Sequence, residues 1–245
     1  MSTPHEATEP TEATEATGAT GATETSGVTE PTEHTESVGQ ENPAGADPER
    51  TLRELGWPLS GHVDPVLATL RAGRGVDIDN AAGWPLPNLG PSAEPARSDA
   101  VARVLVTDMA AEVALELTPG LPTLVISAPS LVVGVDADEG AGVDGLVEHV
   151  LSVLSENLLA RESVVALAAP GEQLGRSAVS EASAQLGVPV LGFDAENVAA
   201  AGGKVTEAVV TLAGARSVLP ENSASSREQP GTRVAVGRLS PVPHA

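Results

Sequence analysis

The chain contains no cysteine and no tyrosine, one phenylalanine, two tryptophans and a single lysine, Lys204. Without thiols it can form no disulfide, no thiol nucleophile and no Cys-ligated zinc or iron–sulfur centre. With aromatics at 1% it has almost no platform on which bases or sugars could stack, which argues against the usual single-strand nucleic-acid modes. Any core must therefore be built from Val, Leu and Ala. Cations are scarce too: 13 Lys and Arg face 34 Asp and Glu, a formal net charge of −21. So acidic a chain repels phosphate backbones and anionic lipid, so neither nucleic acid nor a membrane is an expected partner. The opening MSTPHEATEP lacks the basic and apolar regions of a secretion signal, and the longest apolar stretch, LPTLVISAPSLVVGV at 121–135, is interrupted by Ser and Pro and too short for a bilayer. A cytoplasmic location is the expectation.

What is present divides the chain in three. Over residues 1–50, Thr recurs every third position at 8, 11, 14, 17, 20 and 23 and again at 29, 32 and 35, mostly followed by Glu. That period fits neither a helix stripe nor strand alternation, and there is little apolar surface to bury, so a disordered acidic tail is expected. It holds eleven of the acids and only Arg50 among the cations, about half of the charge excess.

From residue 51 to 128 a small α/β lobe is predicted. Val63, Val66, Leu67 and Leu70 lie at helical spacing, with Pro65 suited to a first turn and Gly73 to a cap. RVLVTD at 103–108 and PTLVIS at 122–127 read as short strands after a Pro/Gly-rich connection at 83–98.

Residues 129–245 carry the clearest pattern. Leu131–Val135 is a continuous apolar strand; Val143, Leu146, Val147, Val150, Leu151 and Leu154 then form a helix face. VVALAA at 164–169, a helix with Val179, Ala182 and Leu186 closed by Gly187, VPVLGF at 188–193 and a helix through Val205, Ala208, Val209 and Leu212 follow. SVL at 217–219 and TRVAVG at 232–237 are the last strands, with ENSASSREQPG at 221–231 read as a mobile loop between them. Strands alternating with crossover helices predict an α/β fold: a mainly parallel sheet flanked by helices in a three-layer α/β/α arrangement, preceded by the small lobe and the tail.

In such a sheet, ligands bind beyond the C-terminal strand ends, so the turn after Val135, with Asp136, Asp138, Glu139 and Gly140, is the leading candidate site. A strand followed by Asp-Ala-Asp suits an aspartyl phosphatase, with Asp136 as nucleophile and Asp138 as general acid, but that chemistry also wants a downstream acidic pair and a lysine. A glycine-rich phosphate turn would use Gly134 and Gly140, yet Asp136 replaces its second glycine. A divalent-cation loop from Asp136, Asp138 and Glu139 departs from EF-hand spacing. The acids also suit a helix N-terminus through its dipole alone. His62 and His149 are weaker candidates, with His149 expected at the boundary of an apolar stripe; His5, His34 and His244 lie in the tails.

Taken in order, GWPLSGHVDPVLATLRAG, GWPLPNLGP, RVLVTD, SLVVGVDADEGAG, QLGVPV, EAV at 207–209, VLP at 218–220 and TRVAVGR at 232–238 resemble the central and C-terminal regions of CbiG, the cobalt-precorrin-5A hydrolase of cobalamin synthesis. CobE is similar to the C-terminal part. The resemblance covers residues 51–245 and implies a cobalt-corrinoid intermediate as ligand, no cofactor and no resident metal. It implies further that water opens a δ-lactone with release of acetaldehyde, and that partners include other corrin-pathway enzymes or a separate CbiG N-terminal domain. Gly134, Asp136, Asp138 and Gly140 become candidate substrate-binding residues; no catalytic residue is assigned. The chain differs from the family at Gln173 and Arg176, where a lysine and an acid are usual, and at Glu221, where a lysine is. Glu207 matches a family acid but reads as a solvated helix residue. The alternative is a non-catalytic corrinoid-binding or interaction module on the same fold.

Overall fold

A computed structural model describes residues 47–226 and 229–241. Most of the expected tail, with His5 and His34, lies outside the described residues, as does His244. The first helix begins earlier than position 51: Asp47 caps helix α1 (Pro48–Leu55), its Oδ1 accepting from Glu49 N at 3.1 Å. The sequence PERTLREL is a helix because Glu and Arg pair at four-residue spacing, Arg50 with Glu54 and Arg53 with Glu49, while Leu52 is fully buried.

The first lobe is a five-stranded sheet in the order β1-β5-β4-β2-β3, made of β1 (Leu59–Gly61), β2 (Val76–Asp79), β3 (Ala93–Glu94), β4 (Ala102–Thr107) and β5 (Thr123–Ser127). All neighbours are parallel except β1 and β5. Along β4, Ala102, Val104 and Val106 face a core shared with Leu52 and with Val66, Leu67 and Leu70 of α2 (Val63–Arg71). Helix α3 (Ala111–Leu117) packs on β1 and β5. The two Gly-Trp-Pro segments meet: the Trp57 and Trp84 rings stand edge to face, 5.9 Å apart at 86°.

The second sheet has the order β8-β7-β6-β10-β9. Strands β6 (Leu131–Ala137), β7 (Val164–Pro170) and β8 (Val190–Phe193) are parallel; β10 (Gln229–Arg238) runs antiparallel to β6 and to β9 (Ser217–Ser226). Most of the stretch expected as a loop at 221–231 is therefore strand. Its polar residues extend a hairpin, and β9 is an edge strand paired on one side only, which tolerates such a sequence.

Strand β6 is buried along its whole length because helices cover both faces. Leu131, Val133 and Val135 pack with α4 (Val143–Glu156) and α5 (Ser177–Leu186), whereas Val132 packs with Ala168, Val198 and Ala208–Val210, on the side of α6 (Ala195–Ala201) and α7 (Val205–Leu212). Side chains of this kind, fully withdrawn from water, each contribute roughly 1.5–3 kcal/mol. The fold is thus mixed α/β, with two five-stranded sheets flanked by helices.

The lobes touch beyond the linking chain. Met109 bridges Leu159, Ala110 N donates to Leu158 O at 2.9 Å, and Ala160 N donates to Asp108 O at 2.8 Å. The Asp108 carboxylate accepts from Arg238 Nε at 2.7 Å and from Ser130 Oγ at 3.4 Å.

Among the described residues, no helix is long and apolar enough to cross a membrane.

Candidate functional site

Alternation along β6 sets the site. Gly134 and Asp136 share the face of Val132 and so point to the α6–α7 side. Gly134 lies beneath α7: a Cβ there would sit 2.3 Å from Thr206 O and 2.9 Å from Val210 Cγ1. It is where the helix approaches the sheet most closely. Two residues on, at the strand end, Asp136 lines a cleft of about 290 Å³ together with Pro170, Glu172, Val198, Gly203 and Val205. These come from the C-terminal end of β7, the segment after it, α6 and the start of α7, which is where an open parallel sheet places ligands.

The acids of the turn are held from the opposite direction. Asp136 is nearly buried, and its two oxygens are both engaged: Gln173 Nε2 donates to Oδ1 at 2.5 Å and Arg233 Nε to Oδ2 at 2.8 Å. Arg233 Nη2 also donates to Asp138 Oδ1 at 3.0 Å, and Asp138 Oδ2 accepts from Gly231 N at 3.0 Å. Asp138 N returns a bond to Gly231 O at 2.9 Å. The hydrogen bond to Asp136, then the charges of Asp136 and Asp138, raise the pKa of the Arg233 guanidinium still further above its ordinary range. Arg176 donates to Ala137 O, and a turn closed by Ala141 N on Asp138 O at 3.1 Å places Gly140 at φ +85°. Asp136 and Asp138 thus share one guanidinium, 97 and 95 residues away in sequence. No local pattern announces Arg233; only the pairing of β10 with β6, Arg233 opposite Asp136, brings it there.

The expected cap at the start of α4 is not made by these acids: Gly142 occupies the cap position and no side chain bonds there. Glu207 is more than a solvated helix residue. Its Oε1 accepts from Glu221 N at 3.1 Å, because the α7 side chains meet β9 there. Glu221, where the family lysine was expected, accepts from Thr206 Oγ1 at 2.5 Å and lies 3.7 Å from Lys204 Nζ. Lys204 itself is more than half exposed, between the cleft-lining Gly203 and Val205.

His62 lies in the first lobe with Nδ1 3.3 Å from Thr123 N, so it does not join the cleft. His149 is on the opposite face of the second sheet. Instead of a boundary residue it is a buried one, only 7% exposed, with Nδ1 2.7 Å from Thr232 Oγ1. Burial lowers its pKa, against weaker opposing effects of Asn222 and Glu156. The unfolded chain then binds this proton more readily than the folded one. The stability from a neutral His149 is complete above its ordinary value near 6.5 and is lost as pH falls from there toward the lowered folded value. Thermal midpoints measured between neutral and mildly acidic pH are expected to decline less in His149→Gln than in the parent; equal declines would remove His149 as the cause.

Among the described residues no group of three or more His, Asp or Glu is placed to hold a metal ion. The arrangement offers a small cleft with a fixed carboxylate, Asp136, in its lining and an exposed carboxylate, Glu172, on its wall; the exposed Lys204 follows the lining residue Gly203 in the chain, with its ammonium beside Glu221.

No family model matches the chain, and no curated protein sequence does. Solved structures similar to it include a putative cobalamin biosynthesis protein G homolog from Sulfolobus solfataricus, at 14% identity and a TM-score of 0.40, covering 78% of this chain and 60% of that one. CobE, a protein from the cobalamin biosynthetic pathway, is similar at 17% identity and TM-score 0.39, over 45% of this chain and 92% of its own. Cobalamin biosynthesis protein chiG from Agrobacterium tumefaciens str. C58 is similar at 16% and 0.38, over 45% and 98%. The chain spans 60% of the length of the first of these, and all three are cobalamin biosynthesis proteins.

Proposed function

We propose that the protein acts in cobalamin biosynthesis, in the cytoplasm, by holding a cobalt-corrinoid intermediate at the cleft beyond β6, β7 and β8. One observation carries the reading: the motifs that resemble CbiG in order along residues 51–245 lie in the helices and strands of the two lobes and in the segments that join them, with the SLVVGVDADEGAG turn at the C-terminal sheet edge. The cleft, at about 290 Å³, is at the small end for a ligand pocket. It would take one peripheral arm of the macrocycle, with the ring lying across its mouth. Lys204 would meet a carboxylate arm there. Gly134 sets the depth of the cleft by admitting α7, and Gly140 lets the turn fold back beside Asp138.

Opening a lactone needs a base for water and donors for the developing oxyanion. Asp136 and Asp138 already accept hydrogen bonds on both oxygens, which leaves them as positioning residues. Glu172, exposed on the cleft wall, is the carboxylate free to orient water. The saturation of the aspartates favours a second reading, in which the chain binds the corrinoid without turning it over or supplies its domains to a partner carrying the rest of the activity.

The test is to mix the purified chain with cobalt-precorrin-5A and follow both the corrinoid absorption bands and acetaldehyde. A band shift weakened several-fold by Lys204→Glu supports binding at the cleft, at the scale of one partly exposed charge pair. Acetaldehyde release abolished by Glu172→Gln adds the hydrolase reading, and a shift without release leaves the binding reading alone. The absence of both a shift and release would overturn the proposal.

A further inference from the structure

A second concavity lies on the far side of the second sheet from the cleft, between α4 and α5. It measures about 600 Å³ and is lined by Asp144, Val147, Glu148, Leu151, Ser152 and Gln185. Val147 and Leu151 stand one turn apart on α4 and remain partly exposed, so the helix presents apolar surface outward as well as inward. The rim has one sign. Helices α4 and α5 contain Asp144, Glu148, Glu156 and Glu181 and not one Lys or Arg. Glu148 and Glu181 are exposed and, among the described residues, make no ion pair, while Asp144 accepts from Gln185 Nε2 at 3.5 Å. Arg161 brings a cation near this edge, its Nη2 donating to Gln185 O at 3.3 Å, but it does not line the concavity. This contrasts with the acids of the site turn, which are answered by Arg233.

The geometry points to a docking surface for a basic amphipathic helix of a partner protein, with apolar side chains on Val147 and Leu151 and Lys or Arg on the carboxylates at either side. Charge settles the occupant. A second copy of this chain, at −21, would bring more negative charge to the same rim, and the acidic first 50 residues of the chain would do likewise. An anionic lipid surface is repelled on the same ground. A cationic helix is the class of partner whose charge and stripe both match.

The experiment measures anisotropy of a labelled 18-residue peptide of Leu, Ala and Lys, with Leu on one helical face and Lys on the other, in buffer of about 0.15 M salt, where diffuse attraction is screened. The comparison peptide has the same composition, scrambled. The expected result is binding of the amphipathic peptide over the scrambled one, weakened about ten-fold by D144K/E148K and by Leu151→Ser. It should be unchanged by E112K/E116K on α3, which alters the net charge equally. If D144K/E148K fails to fold, Asp144→Asn with Glu148→Gln replaces it, with a smaller loss expected. Equal binding of the two peptides, equal weakening by the α3 variant, or no binding at all overturns the inference.

Discussion

Gly134→Ala is expected to lower the stability of the second lobe by about 3 kcal/mol or to prevent its folding, at the upper end of the cost of overpacking a rigid core. The added methyl would sit 2.3 Å from the Thr206 carbonyl oxygen and 2.9 Å from Val210 Cγ1. The first contact is with helix backbone, which cannot step aside without lifting α7 from β6, and Ala208, Val209 and Val210 would lose packing with it. Adding Val210→Ala to this variant relieves the second contact and leaves the first, so little stability returns. Gly175→Ala, at a site with nothing within 4 Å, should change stability by no more than about 0.5 kcal/mol. Urea unfolding followed by far-ultraviolet circular dichroism measures all three. A Gly134→Ala protein as stable as its parent would show that α7 does not rest on the sheet as described.

Arg233→Met is expected to cost roughly 2–3 kcal/mol, less than the loss of a fully buried pair because the arginine side chain is 38% exposed. The larger part is not the attraction given up but the Asp136 carboxylate left without its cation at 12% exposure. A double-mutant cycle separates the two. With Asp136→Asn already in place there is no orphaned charge, and removing Arg233 should then cost less than half as much. Additive losses in the cycle would mean that Arg233 and Asp136 are not coupled. The same cycle probes the turn, since Asp138 depends on the same guanidinium.

Much of the second lobe was legible in the sequence because its elements obey one period each. The apolar run at 131–135 became β6, the stripe from Val143 to Leu154 became α4, and Gly187 closes α5 in a left-handed conformation at φ +74°. Helix α1 escaped because ion pairs, not an apolar stripe, hold most of its surface. Strand β2, VDID, escaped because Val76 and Ile78 alternate with aspartates, one of which, Asp77, pairs across the sheet with Arg103 Nε at 3.0 Å. Polar β9 looked like a loop for a related reason: its partner strand, not its own composition, makes it a strand.

The place of the candidate turn was legible and its partners were not. Parallel topology put the turn after β6 at the C-terminal edge of the sheet, and Asp136 lines a cleft there. What composition could not reveal is that Gly134 answers to a helix crossing above it, and that the two aspartates answer to an arginine nearly a hundred residues downstream. Residues whose partners are set by strand register leave no mark at short range in sequence.

The position of β10 in the sheet bears on how the protein is made. Strand β6, a central strand, keeps one edge unpaired until the ribosome has delivered Gln229–Arg238. From the completion of β6 until β10 follows, about ninety residues later, Leu131–Val135 therefore offers an apolar, open ladder to whatever is nearby. The closing strand brings both long-range clasps with it, Arg233 to Asp136 and Arg238 to Asp108. A nascent chain halted before Gln229 would hold nearly every element of the lobe and none of the strand that seals it.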